Sequence, residues 1–319
     1  MERKVLAVET GGSKFITGVV KEGEEKIYGR IEEEITYKST EEYLSAIISS
    51  MTRSLEISEF EESDIDAIGV VSAGKWSKDR QFVDPPNLPF DHDEVPLGRE
   101  IMNSFELPVF AENDVNAGVL AEVKFGAGME FGGRYIGYLT ISSGIGLGLY
   151  DKKHREFFSG EHGQAPEVGH NKLMDKGFEC GCGGHGHWEA YGSGNGLENI
   201  FRSISGESRD AREILENCED GDCDRAVSMM AYYNAMGVGQ VINSYQPGML
   251  IFGGSPVFHH PEKVFKRMEE VLKSDDSEFS FIDDELYPEM KVSELGEDNV
   301  LFGAAAVALE GREESRVNE

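Results

Sequence analysis

The sequence predicts an α/β protein of two related lobes, and three observations carry that expectation. A strand–glycine turn–strand pattern opens the chain and recurs near Tyr135 as IGYLTISSGIGLGLY. After each opening, apolar runs of strand length alternate with stretches of helical spacing. The 319 residues are 39% hydrophobic and 10% aromatic, enough for a large divided core and too apolar for a disordered chain.

In chain order, residues 4–8 (KVLAV) read as a strand, ETGGSK as a tight turn, and residues 15–20 (FITGVV) as the returning strand. The strand pattern continues over 27–37. Thr40 suits an N-cap, with Glu41 and Glu42 in the first turn and Tyr43, Leu44, Ile47, Ile48 and Met51 at helical spacing. Residues 65–71 (IDAIGVV) form a buried strand, and PPNLP at 85–89 forms a rigid, extended turn. Residues 107–111 (LPVFA) are a short strand ending in ENDV, where Asp114 could cap a helix over 115–125.

In the second half, helices are expected at 194–204, 211–215 and 225–245. MLIF at 249–252 is a strand ending in Gly253-Gly254-Ser255. A helix over 261–272 and a small-residue closing helix at 299–309 follow, with a frayed tail GREESRVNE. The expected domains are residues 1–118, residues 119–298, and a closing helix with tail at 299–319, packing back on the first lobe. In open α/β sheets ligands sit outside the carboxyl ends of strands, which is where ENDV, SSGIG and FGGS fall.

Sixty acidic against thirty basic residues give a net charge of −30. A polyanion repels phosphates and anionic lipid, so nucleic acid and membranes are not expected partners. The same acidity is what a chain selected for solubility in strong salt carries. No apolar signal segment or membrane-length run stands out, and a cytoplasmic protein is expected. Four cysteines then argue for thiols or metal ligands, with Cys218 and Cys223 as bystanders.

The stretch from 167 to 189, EVGHNKLMDKGFECGCGGHGHWE, gathers carboxylates, histidines and two cysteines in glycine-punctuated chain. Cys180, Cys182 and His187, closed by His170, have the donor types and spacing of a structural Zn²⁺ site. His185 could take the place of His187. The alternatives are donors that merely fall in a surface loop, or a strained disulfide across a one-residue spacer.

ETGGSK, GVVSAG, PPNLP, ENDVNAG, TISSGIGLG, EVGH, CGCGGHGHWEAYGSG and IFGGS occur in the order and approximate spacing of the ROK family of sugar kinases and sugar-responsive repressors. The resemblance covers nearly the whole chain. It implies the two-lobed actin-like ATPase (ribonuclease H-like) fold, with sugar and ATP in an interlobe active-site cleft.

By that resemblance Asp114 is the catalytic base. Asn113, Glu167, His170 and Glu189 contact the sugar, with Asn87 beside them and Asp114 also in contact. Gly11, Gly12, Ser13, Lys14, Ser143, Gly144 and Gly146 face the ATP phosphates, and Gly253 and Gly254 lie on the adenosine side. Glycine turns suit that task because their N–H groups approach phosphate unobstructed. Glu9 stands where the family has an Mg²⁺-associated Asp. His187 stands where the family has Cys, and Pro166 where it tends to have Gly. Trp188 beside the metal loop reads as core.

The expected activity is ATP-dependent phosphorylation of a hexose 6-hydroxyl, glucose most simply, with an N-acetylhexosamine or fructose as alternatives. A catalytically silent sugar sensor is the reading from another class, with Glu9 its one hint. A repressor is disfavoured by the charge and by only eight residues ahead of Glu9. By analogy with the family, a homodimer is expected.

Overall fold

The computed structural model describes residues 2–161, 163–217, 219, 221–274, 279 and 287–317. The chain forms two compact units, one of residues 1–129, 159–165 and 298–319, the other of 130–158 and 166–297. A boundary at 118 would cut a helix, α3 (Asp114–Lys124), that lies wholly in the first unit.

In the first unit β1 (Lys4–Thr10) and β2 (Lys14–Lys21) form the expected hairpin, extended by β3 (Ile27–Glu34). Next come α1 (Thr40–Ser58), β4 (Ala67–Ser72), a small ribbon of β5 (Lys75–Trp76) with β6 (Val83–Asp84), α2 (Leu97–Ser104), β7 (Val109–Asn113) and α3. The sheet order is β3-β2-β1-β4-β7, antiparallel in the hairpin and parallel across β1, β4 and β7. Leu6, Val8, Ile68 and Val70 share one core with Tyr43, Ile47 and Met51 of α1. On the other face Ala7 of β1 lies beside Gly69 of β4, which lets a helix approach closely.

The second unit repeats the plan. β8 (Tyr135–Ile141) and β9 (Ile145–Asp151) form a hairpin, with β10 (Glu156–Phe157) at its outer edge. After a long irregular stretch come α4 (Glu189–Gly192), α5 (Gly194–Ser205), α6 (Ala211–Glu216) and α7 (Gly221–Tyr245). β11 (Met249–Gly253), α8 (Ser255–His259), α9 (Arg267–Leu272) and β12 (Glu289–Val292) complete it. The order β10-β9-β8-β11-β12 matches the first sheet, again with a parallel β8-β11-β12 side. The last helix, α10 (Asn299–Val317), returns to the first unit and packs on α3, β1 and β4.

Several local expectations are corrected. Ser39, with extended backbone, caps α1 by accepting the Glu42 N–H at 3.3 Å, so Thr40 is already helical. The strand expected through residue 37 ends at Glu34. The helix expected from 225 begins at Gly221, where Asp222 and Asp224 suit its positive end. The 261–272 segment is one π-helical turn (Glu262–Lys266) followed by α9. Helix α10 continues through Val317, where a frayed tail is expected from 311, and residues 318–319 lie outside the described set. Cys180, Cys182 and Cys223 form no disulfide, and Cys218 lies outside the described residues. Among the described residues no helix is long and apolar enough to cross a membrane.

A Cβ on Gly69 would lie 1.8 Å from the Ala304 carbonyl oxygen of α10. Gly69→Ala is therefore expected to cost about 2 kcal/mol or more, because backbone must move. Urea unfolding measures this, and an unchanged midpoint would overturn the close packing of α10 on β4.

Candidate active site

Strand register lines up the first unit's candidate site residues. Thr10 pairs with Ser72 and Ser72 with Asn113, so three parallel strands end in one row. The glycine turn after Thr10 and the Asn113–Asp114 pair therefore emerge at the same sheet edge. Within the turn, Gly11 N–H donates to the Lys14 carbonyl at 3.0 Å. A Cβ on Gly12 would sit 3.0 Å from Asn87 Cβ and 3.1 Å from its carbonyl oxygen, so the PPNLP loop lies against the turn. Asn87 has φ 65°, a left-handed conformation that Asn tolerates, so this loop is not uniformly extended as expected. Lys14 is ion-paired to Glu32 at 2.9 Å, Glu32 to Arg30 at 2.8 Å, and Arg30 to Asp298 at 2.8 Å.

Asn113 is the N-cap of α3, its Oδ1 accepting the Val115 N–H at 3.1 Å. The capping role expected of Asp114 falls to its neighbour, and Asp114 is the first helical residue, half-buried. Behind them Glu112 accepts the Asn113 N–H at 2.9 Å and the Asn116 amide at 3.2 Å, and pairs with Arg80 at 2.8 Å. Glu112 and Arg80 are missed by sequence reasoning, although the ENDV motif contains the former.

Glu9 has a buried Oε2 without a hydrogen-bond partner. Burial pushes its carboxyl up to about 8; Lys14 and Arg30 oppose the rise, and the carboxylates of Asp114 and Asp298 add to it. An orphaned, buried carboxyl oxygen fits a residue that would hold a cation or its water.

In the second unit the β8–β9 turn is closed by Ser142 N–H donating to the Gly144 carbonyl at 2.9 Å. Gly146 already pairs with Thr140 inside the hairpin. The next N–H, from Ile145, donates to Glu189 Oε2 at 3.1 Å, and a Cβ on Gly144 would stand 2.5 Å from that oxygen. Gly253 ends β11, and Gly254 (φ 98°) is the N-cap residue of α8, where a Cβ would lie 2.1 Å from the Ile141 carbonyl oxygen. These turns border a cavity of about 610 Å³ also lined by Gly194, Asn195, Arg212 and Pro256. The capped N-terminus of α5 faces it, giving the cavity a positive helix end.

The irregular stretch gathers His170, Cys180, Cys182 and His187, with one donor atom from each inside 4.8 Å of the others. His170 Nδ1 is 3.6 Å from Cys180 Sγ, and His187 Nδ1 is 3.3 Å from Cys182 Sγ. Zn²⁺ bonds of about 2.0–2.3 Å put tetrahedral donors about 3.3–3.8 Å apart, so this set fits the ion. His185 is exposed and outside the cluster. Burial pushes the Cys180 thiol up to about 12, and Glu189 lies 3.4 Å from its sulfur. His170 turns Nε2 toward Glu167, at 3.9 Å. Trp188 is fully buried, its Nε1–H donating to Asn234 at 2.8 Å, so it is core as expected.

Duplicated hairpin-plus-parallel sheets with glycine turns at their carboxyl edges define the two-lobed actin-like ATPase fold. The chain belongs to the ROK family, whose model matches residues 5–311. A glucokinase of Streptomyces coelicolor is 32% identical over 69% of this chain and 65% of its own length. A xylose repressor of Bacillus spizizenii is 28% identical over 76% of this chain and 61% of its own. The chain thus spans just under two thirds of both relatives. A ROK glucokinase from Streptomyces griseus, solved with glucose and AMPPNP, superposes with a TM-score of 0.77 at 25% identity, covering 97% of this chain and 100% of that one.

The raised carboxyl of Glu9 sets a pH test. A folded-state value above the unfolded 4.5 means that protonation of Glu9 stabilises the fold, fully below about 4.5, with loss as pH rises through about 8. In chelator, wild-type stability should fall more steeply than that of Glu9→Gln across this window. Parallel curves in chemical unfolding would show that Glu9 is not held in a desolvated site.

Proposed function

We propose that this protein is an ATP-dependent hexose kinase that transfers the γ-phosphoryl group to the 6-hydroxyl of glucose. The observation that carries the reading is the Asn113–Asp114 pair, held by Glu112 at the strand edge that also bears the Gly11–Gly12 turn. The glucokinase relatives support glucose as acceptor, and the cavity beside Ser143 and Ser255 suits the nucleoside of ATP.

In this reading Asp114 accepts the 6-hydroxyl proton as that oxygen bonds to the γ-phosphorus and the bond to the β-phosphate bridging oxygen breaks. Asn113 donates its amide N–H to a sugar hydroxyl, since its oxygen is engaged in capping. Asn87, Glu167, His170 and Glu189 read the remaining hydroxyls. Main-chain N–H groups of the two glycine turns, with Ser13 and Ser143, receive the phosphates, and Lys14 adds charge. Mg²⁺ arriving with ATP would lie toward Glu9 and neutralise phosphate charge. Zn²⁺ on His170, Cys180, Cys182 and His187 would fix the loop carrying Glu167 and orient His170 for the sugar.

ADP release with Mg·ATP, assayed across glucose, fructose, mannose and N-acetylglucosamine, should show glucose turned over best. Asp114→Asn should lower kcat by about 10²–10⁴-fold with the fold intact. Full activity in that variant would remove Asp114 from the chemistry.

Cys182→Ser leaves the core untouched, since the side chain is exposed. It should lose bound zinc by atomic absorption and raise the glucose KM, about tenfold or more. Retention of one zinc per chain would rule out the four-donor site.

A further inference from the structure

The loop that sets Asn87 against Gly12 is clamped by a histidine. His92 Nδ1 lies 3.0 Å from the Phe90 carbonyl oxygen, and Nε2 lies 3.0 Å from the Pro85 carbonyl oxygen. Those carbonyls bracket Asn87, so the imidazole ties together the two ends of the loop that carries it. Both carbonyls are acceptors only. A neutral imidazole has one N–H and would turn a lone pair toward the second oxygen, whereas the imidazolium donates to both.

The ring also stands edge-on to Phe90, with centroids 5.8 Å apart. Phe90 in turn packs on Tyr43 at 5.9 Å, and Tyr43 is hydrogen-bonded to Thr10, the residue before the glycine turn. The described contacts of the His92 ring are these two carbonyls and Phe90. The ionisable groups beside it in the chain are the exposed carboxylates Asp91, Asp93 and Glu94.

We propose that His92, as the imidazolium, is the positioning residue that holds Asn87 in its sugar-reading conformation. The role rests on the hexokinase reading of Asn87. On deprotonation one N–H···O contact is lost, the proton goes to solvent, and one end of the loop is released. Affinity for the hexose then falls while the chemistry at Asp114 continues.

The test pairs glucose kinetics with NMR of ¹⁵N-histidine-labelled protein over about pH 5.5 to 8.5. At the acid end both His92 ring nitrogens should carry protons in slow exchange. As the ring titrates, the glucose KM should rise about fivefold, the scale of one hydrogen bond, with kcat changed far less. His92→Phe keeps the packing on Phe90 and lacks both donors. It should show the raised KM at every pH and none of that step. His92→Gln, with an amide donor, should recover part of the affinity.

A ring that stays neutral throughout, or a His92→Phe variant with the wild-type KM profile, overturns the proposal. If no hexose is phosphorylated by wild-type protein, the kinase reading fails. The NMR titration, with amide exchange of residues 85–90 in wild type and His92→Phe, still decides whether the clamp exists. Unchanged exchange in the variant would mean that it does not.

Discussion

Parallel pairing in register is the constraint on which the functional geometry depends. Because Thr10, Ser72 and Asn113 are matched across β1, β4 and β7, three connections leave the sheet at one height. A slip of one residue would turn each side chain to the opposite face and separate the glycine turn from Asp114. The second sheet enforces the same condition, with Thr140 opposite both Gly146 and Gly253. Each unit thus presents its hairpin-turn glycines at the carboxyl edge of its parallel strands.

That register is protected by small residues. Ala7 and Gly69 lie side by side on neighbouring strands, and Gly69 meets Ala304 of α10 almost backbone to backbone. Gly303 makes a similar approach to Ala117 of α3. Asn299 at the head of α10 donates to the buried Glu122 of α3 at 2.7 Å, and Lys124 pairs with Glu310 at 2.6 Å. A larger residue at Gly69 would push α10 away, and α3, whose first residue is Asp114, would lose its neighbour. The placement of Asp114 and the packing of the core therefore share the same helix.

Much of this is legible in the sequence because it is encoded locally. Glycine turns between β-branched runs announce both hairpins, and the C-x-C and His spacing singles out the donors that the fold brings together. Features that depend on the folded backbone geometry escape. Ser39 outcompetes Thr40, and Asn113 outcompetes Asp114, because the cap is decided by which residue first turns extended. The Arg80–Glu112 pair and the His92 clamp join residues through folded geometry, and no periodicity marks them. Helix α2 and strand β12 are short, and β12 is recognisable only from its parallel pairing with β11.

Two segments that carry sugar-reading candidates are largely irregular, and the second is pinned by isolated β-bridges between Lys172 and His187 and between Glu179 and His185. Irregular chain must still satisfy its polar groups and bear the entropy of being ordered. In the first unit the 85–90 loop meets that demand through Asn87 packed on Gly12, Phe90 on Tyr43, and His92 on two carbonyls. In the second unit it is met by four clustered donors and by Glu189. The two Glu189 oxygens contact the Ile145 N–H of the β8–β9 turn and the Cys180 sulfur. One carboxylate therefore spans from the β8–β9 glycine turn to the metal-type cluster, and it lies where a Cβ on Gly144 would come within 2.5 Å of it. Any displacement of the Cys180 loop pulls on that turn through a single side chain. The precision of each site thus comes from a few cross-links laid over a scaffold whose strand ends are already aligned.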